Sequence, residues 1–575
     1  MCQKANGQKD QANTAGTSGI HTMLCGSILK AYFFIMIAVY PLYAPGGYVQ
    51  IGEVKYDFFR NVTLVTLAAM GLVVILTALM SRDREWIVNH YRQMSVTDWF
   101  VYGYCLTVML SYLCSAYKKD ALWGEEGWYM GTMSQIMFVL LYFFFSRYFD
   151  VDGRKLCRMP QDGTDSIQAG GGEAKWLGIW LSASALVFLL GICNRYSLYP
   201  IAMEGQTETF ISTLGNINWF CGYWAVTAPI GIVLYWCSNK GVIKLLLGVY
   251  SFIAMLSVVT QGSNSAYLVF LLLLFVLLAL SLKSDQKLYR FLELCLLFTA
   301  ACLAVRGMDN LPGFSYNYCQ WGCSPGGTGE GSVITCILLN SGVMIREFLI
   351  LVCIYTVVRI CGRRGQFLTA KRRWIFSALA VAAAVAACIA AFLLMVDSEI
   401  LQFRDVPGSI ERDSYMVVVL NEDWGNGRGA TWKCGIDAYN SMDALHKLVG
   451  IGPDCFADYI YDVPELAERM VDRFWDLRLT NAHNEWLTML VNTGVLGLFC
   501  YVGIFMTAIV RYLRRAEKQP LLYVYAVVLL AYTVHNMVSF QQVLHTPYMF
   551  MILGIGERMI RDEKKDISTE AAKAA

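Results

Sequence analysis

The chain has 575 residues, of which 56% are hydrophobic and only 16% are charged, and its mean hydropathy is +0.46. This composition excludes an ordinary soluble enzyme and predicts a protein with many membrane spans. Lys and Arg number 46 against 44 Asp and Glu, a formal charge of +2, so nothing suggests a basic groove or a nucleic-acid partner.

Apolar windows of about 20 residues, the length that crosses a bilayer as a helix, recur along the chain. They predict spans at 24–43, 62–80, 99–117, 128–147, 176–194, 219–237, 243–261, 264–282, 291–305, 343–360, 375–396, 484–510, 520–537 and 546–560. The predicted fold class is all-α: a polytopic helical membrane protein with about 14 transmembrane helices and one large helical extracytoplasmic loop. The expected divisions are a polar tail (1–23), a bundle of about eleven spans (24–396), the loop (397–482), about three C-terminal spans (483–560) and a second tail (561–575).

The distribution of positive charge predicts the orientation of these spans. With the N-terminus in the cytoplasm, the cytoplasmic connections hold 26 Lys and Arg, whereas the short external loops hold 6. Positive residues concentrate on the cytoplasmic side of membrane proteins. We therefore expect a multi-pass protein of the cytoplasmic membrane with both termini in the cytoplasm.

One connection, 397–482, differs from the others in length and charge. Its 86 residues include 16 acidic and 8 basic ones, and it falls on the external side. A loop of this length normally has structure or function of its own. Its periodicity predicts helices over 430–448 and 463–477, with Trp432, Ile436 and Tyr439 on one face.

The end of this loop carries a histidine directly before an apolar helix. We expect His483 in the first helical turn at the membrane surface, and at about 100° per residue Gly494 and Gly497 return to its face. Small residues at such positions let another helix or a lipid chain approach the backbone. The positive end of the helix dipole should keep the imidazole neutral and able to accept a proton.

These spacings resemble those of a known family. His483-Asn484, nine residues, Gly494, two residues and Gly497 resemble the signature of the O-antigen ligase and Wzy-type polymerase superfamily. Upstream, the resemblance includes Arg428-x-x-x-Trp432, then Gly450-Ile451-Gly452-Pro453 with Phe456, and the segment Thr213–Asn218. We expect it to extend from about residue 195 to 560.

The resemblance implies a glycosyltransferase active on the outer face of the membrane. It would take a glycan from a polyprenyl-diphosphate carrier and join it to a hydroxyl of a glycan, lipid or protein acceptor, with no cofactor and no metal. Arg428 would stabilise the leaving diphosphate through its planar, permanently charged guanidinium, and His483 would orient or deprotonate the attacking hydroxyl. The expected substrate-binding residues are Asn484, Trp432, Asn264 and Arg412, and the glycines Gly450, Gly452, Gly494 and Gly497 would be structural.

The sequence departs from the family at one position. Members often carry an arginine after a serine in a tight turn between two central helices, whereas this chain reads Gln261-Gly262-Ser263-Asn264-Ser265. An asparagine can hydrogen-bond a phosphate but cannot neutralise it. Candidates for a replacing cation are Arg412, Arg404 and Arg306.

Several other residues have simpler interpretations. Trp128 and Trp219 at span ends are typical of an interfacial aromatic belt, and His535 and His545 of packing near the last external loop. For Glu485, near the start of the helix, we expect a favourable interaction with the helix dipole and no catalytic role. Four cysteines in external segments could pair in an oxidising compartment: Cys319, Cys323, Cys434 and Cys455.

Two questions stay open at the level of sequence. A polysaccharide flippase or another multi-spanning transporter is the alternative class, although such proteins favour paired halves and mid-membrane charges, whereas this chain has no two-fold repeat and few mid-span charges. A ligase that transfers a finished glycan and a polymerase that extends it would use the same residues.

Overall fold

A computed structural model describes residues 20–80, 94–149, 172–206, 210–238, 241–309, 311, 333–379, 381–382, 424–475 and 477–574. Its helices are α1 (Ile20–Leu42), α2 (Ile51–Met80), α3 (Val96–Cys114), α4 (Lys118–Trp123), α5 (Thr132–Tyr148), α6 (Gly172–Arg195), α7 (Ile217–Cys237), α8 (Val242–Gln261), α9 (Asn264–Ser281), α10 (Asp285–Asp309), α11 (Val333–Leu338), α12 (Ser341–Arg364), α13 (Trp424–Ser441), α14 (Ala444–Val449), α15 (Phe456–Asp462), α16 (Pro464–Phe474), α17 (Glu485–Arg515), α18 (Leu521–His535) and α19 (Thr546–Ala574). Between α6 and α7, β1 (Phe210–Ile211) and β2 (Gly215–Asn216) pair antiparallel, with Phe210 opposite Asn216.

The all-α polytopic fold is confirmed. In the part of the chain that the structure describes, eight helices are long and apolar enough to cross a membrane, namely α1, α2, α6 to α10 and α17, and α18 is a shorter apolar helix. Helices α3, α5, α12 and α19 occupy four further predicted spans. The predicted span 375–396 lies mostly outside the described residues, so the count of fourteen stays a prediction.

Helix α7 lies at the centre of the bundle. Nearly all of its residues are buried, and it packs against α6, α8, α9, α10 and α18. A helix that is apolar on every side can be covered by lipid or by other helices, and the burial of α7 shows that other helices cover it here. The buried side chain of Trp224 has one polar atom, the indole Nε1, and it donates to the carbonyl oxygen of Ala254 at 2.9 Å.

The segment 424–474 forms four helices, α13 to α16, with a hydrophobic core of its own. Ala430, Cys434 and Ala438 are buried on one face of α13. Trp432, Ile436 and Tyr439 share one face of α13 as predicted, but this face is not the buried one, since Ile436 is 52% exposed. Small side chains lie inward because the neighbouring helices approach closely; a Cβ added at Gly435 would lie 2.9 Å from the Cδ2 of Leu487.

The cysteines of this core are not paired. Cys434 and Cys455 are both free and buried among apolar side chains. Cys319 and Cys323 lie outside the described residues.

Buried charges join four helices at the opposite end of α17. Asp98 of α3 binds Arg561 of α19, with Arg147 of α5 at 3.6 Å, and Arg511 of α17 binds Glu557 of α19. Removing one partner of such a buried pair strongly destabilises a fold, because the other charge is left unpaired. These pairs fix α17 against the bundle, and α17 in turn carries the candidate site at its other end.

Candidate active site

His483 lies just before α17 and not within its first turn. The helix begins at Glu485, and Asn484 is its N-cap, whose side-chain oxygen accepts from the backbone N–H groups of Trp486 at 3.1 Å and Leu487 at 3.2 Å. The predicted helical position of His483 is therefore wrong, because an asparagine two residues before an apolar run caps the helix there. Asn484 has this capping role in the structure, and its contact with substrate stays a prediction.

The backbone at His483 has an unusual conformation. Its φ is +49°, in the left-handed region that costs a non-glycine residue about 1–3 kcal/mol. The His483 N–H donates to the side-chain oxygen of Asn481 at 2.9 Å, which holds this turn. Backbone strain of this kind is common at functional sites, where it directs a side chain.

A threonine joins the Arg428 turn to the histidine segment. The hydroxyl of Thr431 contacts the carbonyl oxygen of Arg428 at 2.9 Å and that of Ala482 at 3.0 Å. Arg428 lies in the second turn of α13, and Ala482 directly precedes His483. The two predicted catalytic residues, 55 positions apart in sequence, are thereby brought to one place.

Two glycines let the segment after α14 lie directly against the backbone of α17. Gly494 interrupts α17 with φ +68° and ψ −175°, and a Cβ there would collide with the Leu448 carbonyl. Gly450 has φ +80°, and a Cβ there would collide with the Asn492 carbonyl. The N–H groups of Ile451 and Gly452 donate to the carbonyls of Val491 at 3.2 Å and Asn492 at 3.1 Å.

This interlock corrects the predicted position of the glycines. Gly494 and Gly497 were expected beneath His483 on one continuous helical face, but the helix is broken at Gly494, so the angular count does not apply. Gly497 instead makes room for the side chains of Thr493 and of Thr107 on α3. A Cβ at Gly452 would collide with Ser115.

Arg428 and His483 line one cavity of about 280 Å³. The other lining residues come from the loop before α5, the β-hairpin, the starts of α7 and α9, and the segment after α18: Trp128, Phe210, Asn216, Asn218, Trp219, Ser265, Val538, Ser539 and Phe540. Arg428 is the one cation among these lining residues. The cavity therefore combines a positive group, an imidazole, amides and hydroxyls within an aromatic enclosure.

The electrostatics of the cavity keep His483 neutral. Burial, and secondarily the positive charge of Arg428, lower the pKa of His483 to about 4, with the Asn481 hydrogen bond acting in the opposite direction. Burial also lowers the pKa of Arg428. A partly desolvated guanidinium beside a neutral imidazole is suited to binding an anion.

A family model described as O-antigen ligase matches residues 331–502, less than a third of the chain. This match confirms the resemblance to the O-antigen ligase and Wzy superfamily. It spans the four helices α13 to α16, both candidate catalytic residues and the glycine interlock, and it is narrower than the expected range of 195–560. Among curated proteins, no match to the chain is found. The family supports a glycosyltransferase-like enzyme of the O-antigen ligase or polymerase type, with a lipid-linked glycan as substrate, in a multi-pass membrane protein.

Parts of the chain outside the O-antigen ligase match also reach the cavity. Asn216 and Asn218 of the predicted motif line it, and Asn216 also caps α7 by accepting from the Asn218 N–H at 2.8 Å. Asn264 is exposed and does not line the cavity, whereas its neighbour Ser265 does. The central turn that departs from the family pattern therefore contributes a hydroxyl to the lining of the cavity.

The remaining predicted residues lie elsewhere. Trp432 is part-buried on α13 one turn beyond Arg428 and does not line the cavity. Arg306, near the end of α10, does not line it either. Arg412 and Arg404 lie outside the described residues, so the identity of a second donor-binding cation stays a prediction.

The sequence did not predict that aromatic side chains line the cavity. Trp128 and Trp219 were interpreted as part of an interfacial belt, and the structure adds that both line the cavity with Arg428 and His483. Trp219 directly follows the Thr213–Asn218 motif, and this adjacency is the feature of the sequence that could have predicted its place in the cavity. Trp128 follows a glycine-containing loop whose position no local pattern indicates.

A second, narrower cavity adjoins the first and shares Trp128 and Phe540 with it. Glu485 and Asp454 line it; Glu485 accepts from the Gln541 N–H at 2.6 Å, and burial raises the pKa of Asp454 to about 7. Glu485 was expected to serve the helix dipole, and the structure adds this specific partner. In the described ranges, no group of three or more His, Cys, Asp or Glu is arranged to hold a metal ion.

The interlock predicts a large effect of Gly494→Ala. The added methyl group meets the Leu448 carbonyl and the residue requires a positive φ, so we expect a loss of about 2–4 kcal/mol in unfolding free energy and a lower thermal midpoint in detergent. Gly71→Ala is the matched control, because nothing lies within 4 Å of a Cβ at that position in α2. Equal thermal midpoints for the two variants would contradict the interlock.

Proposed function

We propose that the protein transfers or polymerises a glycan from a polyprenyl-diphosphate carrier onto an acceptor hydroxyl, at the outer face of the cytoplasmic membrane, in the synthesis of a cell-surface polysaccharide. The observation that carries this proposal is that Arg428 and His483 line the same cavity. The excess of Lys and Arg in the cytoplasmic connections supports the outer-face orientation. A donor that arrives already activated suits this compartment.

Arg428 is the group that binds the diphosphate. Its guanidinium can donate two parallel N–H bonds to phosphate oxygens, and the partly buried setting strengthens this interaction relative to water. As the bond to the leaving diphosphate breaks, negative charge grows on the bridging oxygen. A fixed cation at that point stabilises the transition state more than the ground state, without a metal ion.

His483 is the group that removes the proton. The acceptor oxygen forms a bond to the anomeric carbon of the donor sugar, and the bond from that carbon to the phosphate oxygen breaks. The hydroxyl proton passes to the imidazole nitrogen, and the electron pair of the broken bond leaves with the diphosphate on Arg428. A neutral imidazole is required for this step, which the burial of His483 provides.

Donor binding also changes the basicity of His483. In the free protein the charge of Arg428 helps to lower the pKa of the imidazole. A bound diphosphate offsets that charge and favours the imidazolium, so the pKa of His483 rises. The histidine thus becomes an effective base when the donor is in place.

Turnover of a polyprenyl-diphosphate oligosaccharide by the purified protein, with EDTA present, tests the proposal. We expect His483→Ala to lower kcat about 10²–10⁴-fold, since a general base contributes that much. Arg428→Gln should lower kcat about 10²–10³-fold and raise the donor KM, because charge stabilisation and binding are both lost. His446→Ala is the matched control on α14, where its Nδ1 contacts Asp443 at 2.6 Å, outside the cavity. Equal turnover in His483→Ala and the control would contradict the proposal.

The pH dependence gives a second test. His483 accepts a proton only when neutral, so activity falls as the pH drops through its pKa. For the free protein, kcat/KM should show an acid limb near pH 4. The acid limb of kcat, which reports the donor-bound protein, should lie at higher pH because the diphosphate raises the pKa of the imidazole. Rates measured from about pH 3.5 to 8 separate the two limbs. Coincident limbs at the ordinary histidine value would show that neither burial nor Arg428 controls this group.

A further inference from the structure

Four aromatic side chains enclose one side of the cavity, and we call them the aromatic wall: Trp128, Phe210, Trp219 and Phe540. Trp128 meets Trp219 edge to face at 5.6 Å between ring centroids and Phe540 at 4.7 Å. Phe210 meets Trp219 at 6.2 Å. Edge-to-face packing fixes the rings relative to one another, so the wall is a preformed surface.

The wall is connected directly to the proposed base. The imidazole of His483 lies edge to face with Phe540, at 5.2 Å between centroids and 77° between the planes. A molecule resting against the wall therefore lies beside His483. Arg428 lines the same space, so such a molecule is also within the field of the cation.

The β-hairpin supports the central ring of the wall. Gly215 has φ +102°, and a Cβ there would lie 3.1 Å from the Cε3 and 3.2 Å from the Cζ3 of Trp219. The absence of a side chain thus lets the indole lie against the hairpin backbone. Trp219 is only part-buried, and it lines the cavity.

Polar groups alternate with these rings. Asn216 and Asn218 lie beside Trp219, and Ser265 and Ser539 complete the lining. Asn216 already accepts from the Asn218 N–H and Ser265 contacts the Ser263 hydroxyl, but these side chains keep further hydrogen-bonding capacity, which a polyprenyl chain, having no donors or acceptors, would leave unused. A pyranose ring presents C–H groups on its faces and hydroxyls around its edge, which matches an aromatic surface bordered by amides.

We propose that the aromatic wall is the glycan-binding subsite and that Trp219 and Trp128 stack on the pyranose ring of the reacting sugar, which they hold between Arg428 and His483. This inference rests on the proposed function for the placing of the sugar beside the reacting groups. The same chemistry would hold the sugar attached to the diphosphate or the sugar that carries the acceptor hydroxyl. The subsite makes these tryptophans positioning and specificity-determining residues, separate from the diphosphate contact of Arg428.

The test compares two probes by direct binding to the purified protein in detergent. One is undecaprenyl diphosphate, and the other is undecaprenyl diphosphate carrying one sugar, taken from a set of hexoses and N-acetylhexosamines. We expect the best sugar to tighten binding to the wild type about tenfold over the sugar-free carrier, and Trp219→Leu or Trp128→Leu to remove that gain. Affinity for the sugar-free carrier should stay unchanged. Trp475→Leu is the matched control, since Trp475 is 80% exposed just after α16.

The acceptor is examined with the same variants in the turnover assay. If donor binding is unchanged but the acceptor KM rises about tenfold in Trp219→Leu, the wall holds the acceptor sugar, which supports the subsite and assigns its source. Unchanged donor binding together with an unchanged acceptor KM would overturn the inference. An equal loss for both carrier probes would overturn it as well, because the wall would then bind the prenyl chain. Sugar-dependent binding without any transfer would instead contradict the proposed function and leave the subsite standing.

Discussion

The candidate site depends on a direct backbone contact between two distant parts of the chain. The N–H groups of Ile451 and Gly452 donate to the carbonyls of Val491 and Asn492 on α17, and the backbones can approach this closely because Gly450 and Gly494 have no side chains where they meet. The four helices α13 to α16 are thereby fixed to the helix that follows the histidine. The Thr431 hydroxyl then links the Arg428 turn to Ala482. The backbone contact and the Thr431 bridge together hold the arginine and the histidine at one cavity.

The same burial that assembles the site also sets its chemistry. A guanidinium removed from water is a stronger anion ligand, and the imidazole next to it stays neutral because burial and the cation both oppose its protonation. The aromatic wall lines the same cavity as these two groups. The proposed anion binding, proton acceptance and ring stacking therefore all use a single desolvated pocket.

Much of this arrangement can be predicted from the sequence, and the rest cannot for identifiable reasons. Apolar windows predict most of the helices, and motif spacing identifies Arg428 and His483 without any contact information. Gly494 and Gly497 do not lie beneath His483 as predicted, because the N-cap at Asn484 and the break at Gly494 interrupt the regular helical geometry. The sequence does not show that Trp128 and Trp219 line one cavity, because a tryptophan at a span end is usually interfacial and only the tertiary fold brings the two loops together.

The most direct test of the account is whether a diphosphate on Arg428 shields His483. Diethyl pyrocarbonate acylates neutral imidazoles, and mass spectrometry of the peptide that contains His483 reports its modification. We predict that undecaprenyl diphosphate protects His483 in the wild type and fails to do so in Arg428→Gln, with His446 modified equally throughout. Equal modification of His483 with and without the carrier would contradict the claim that the two residues form one donor site.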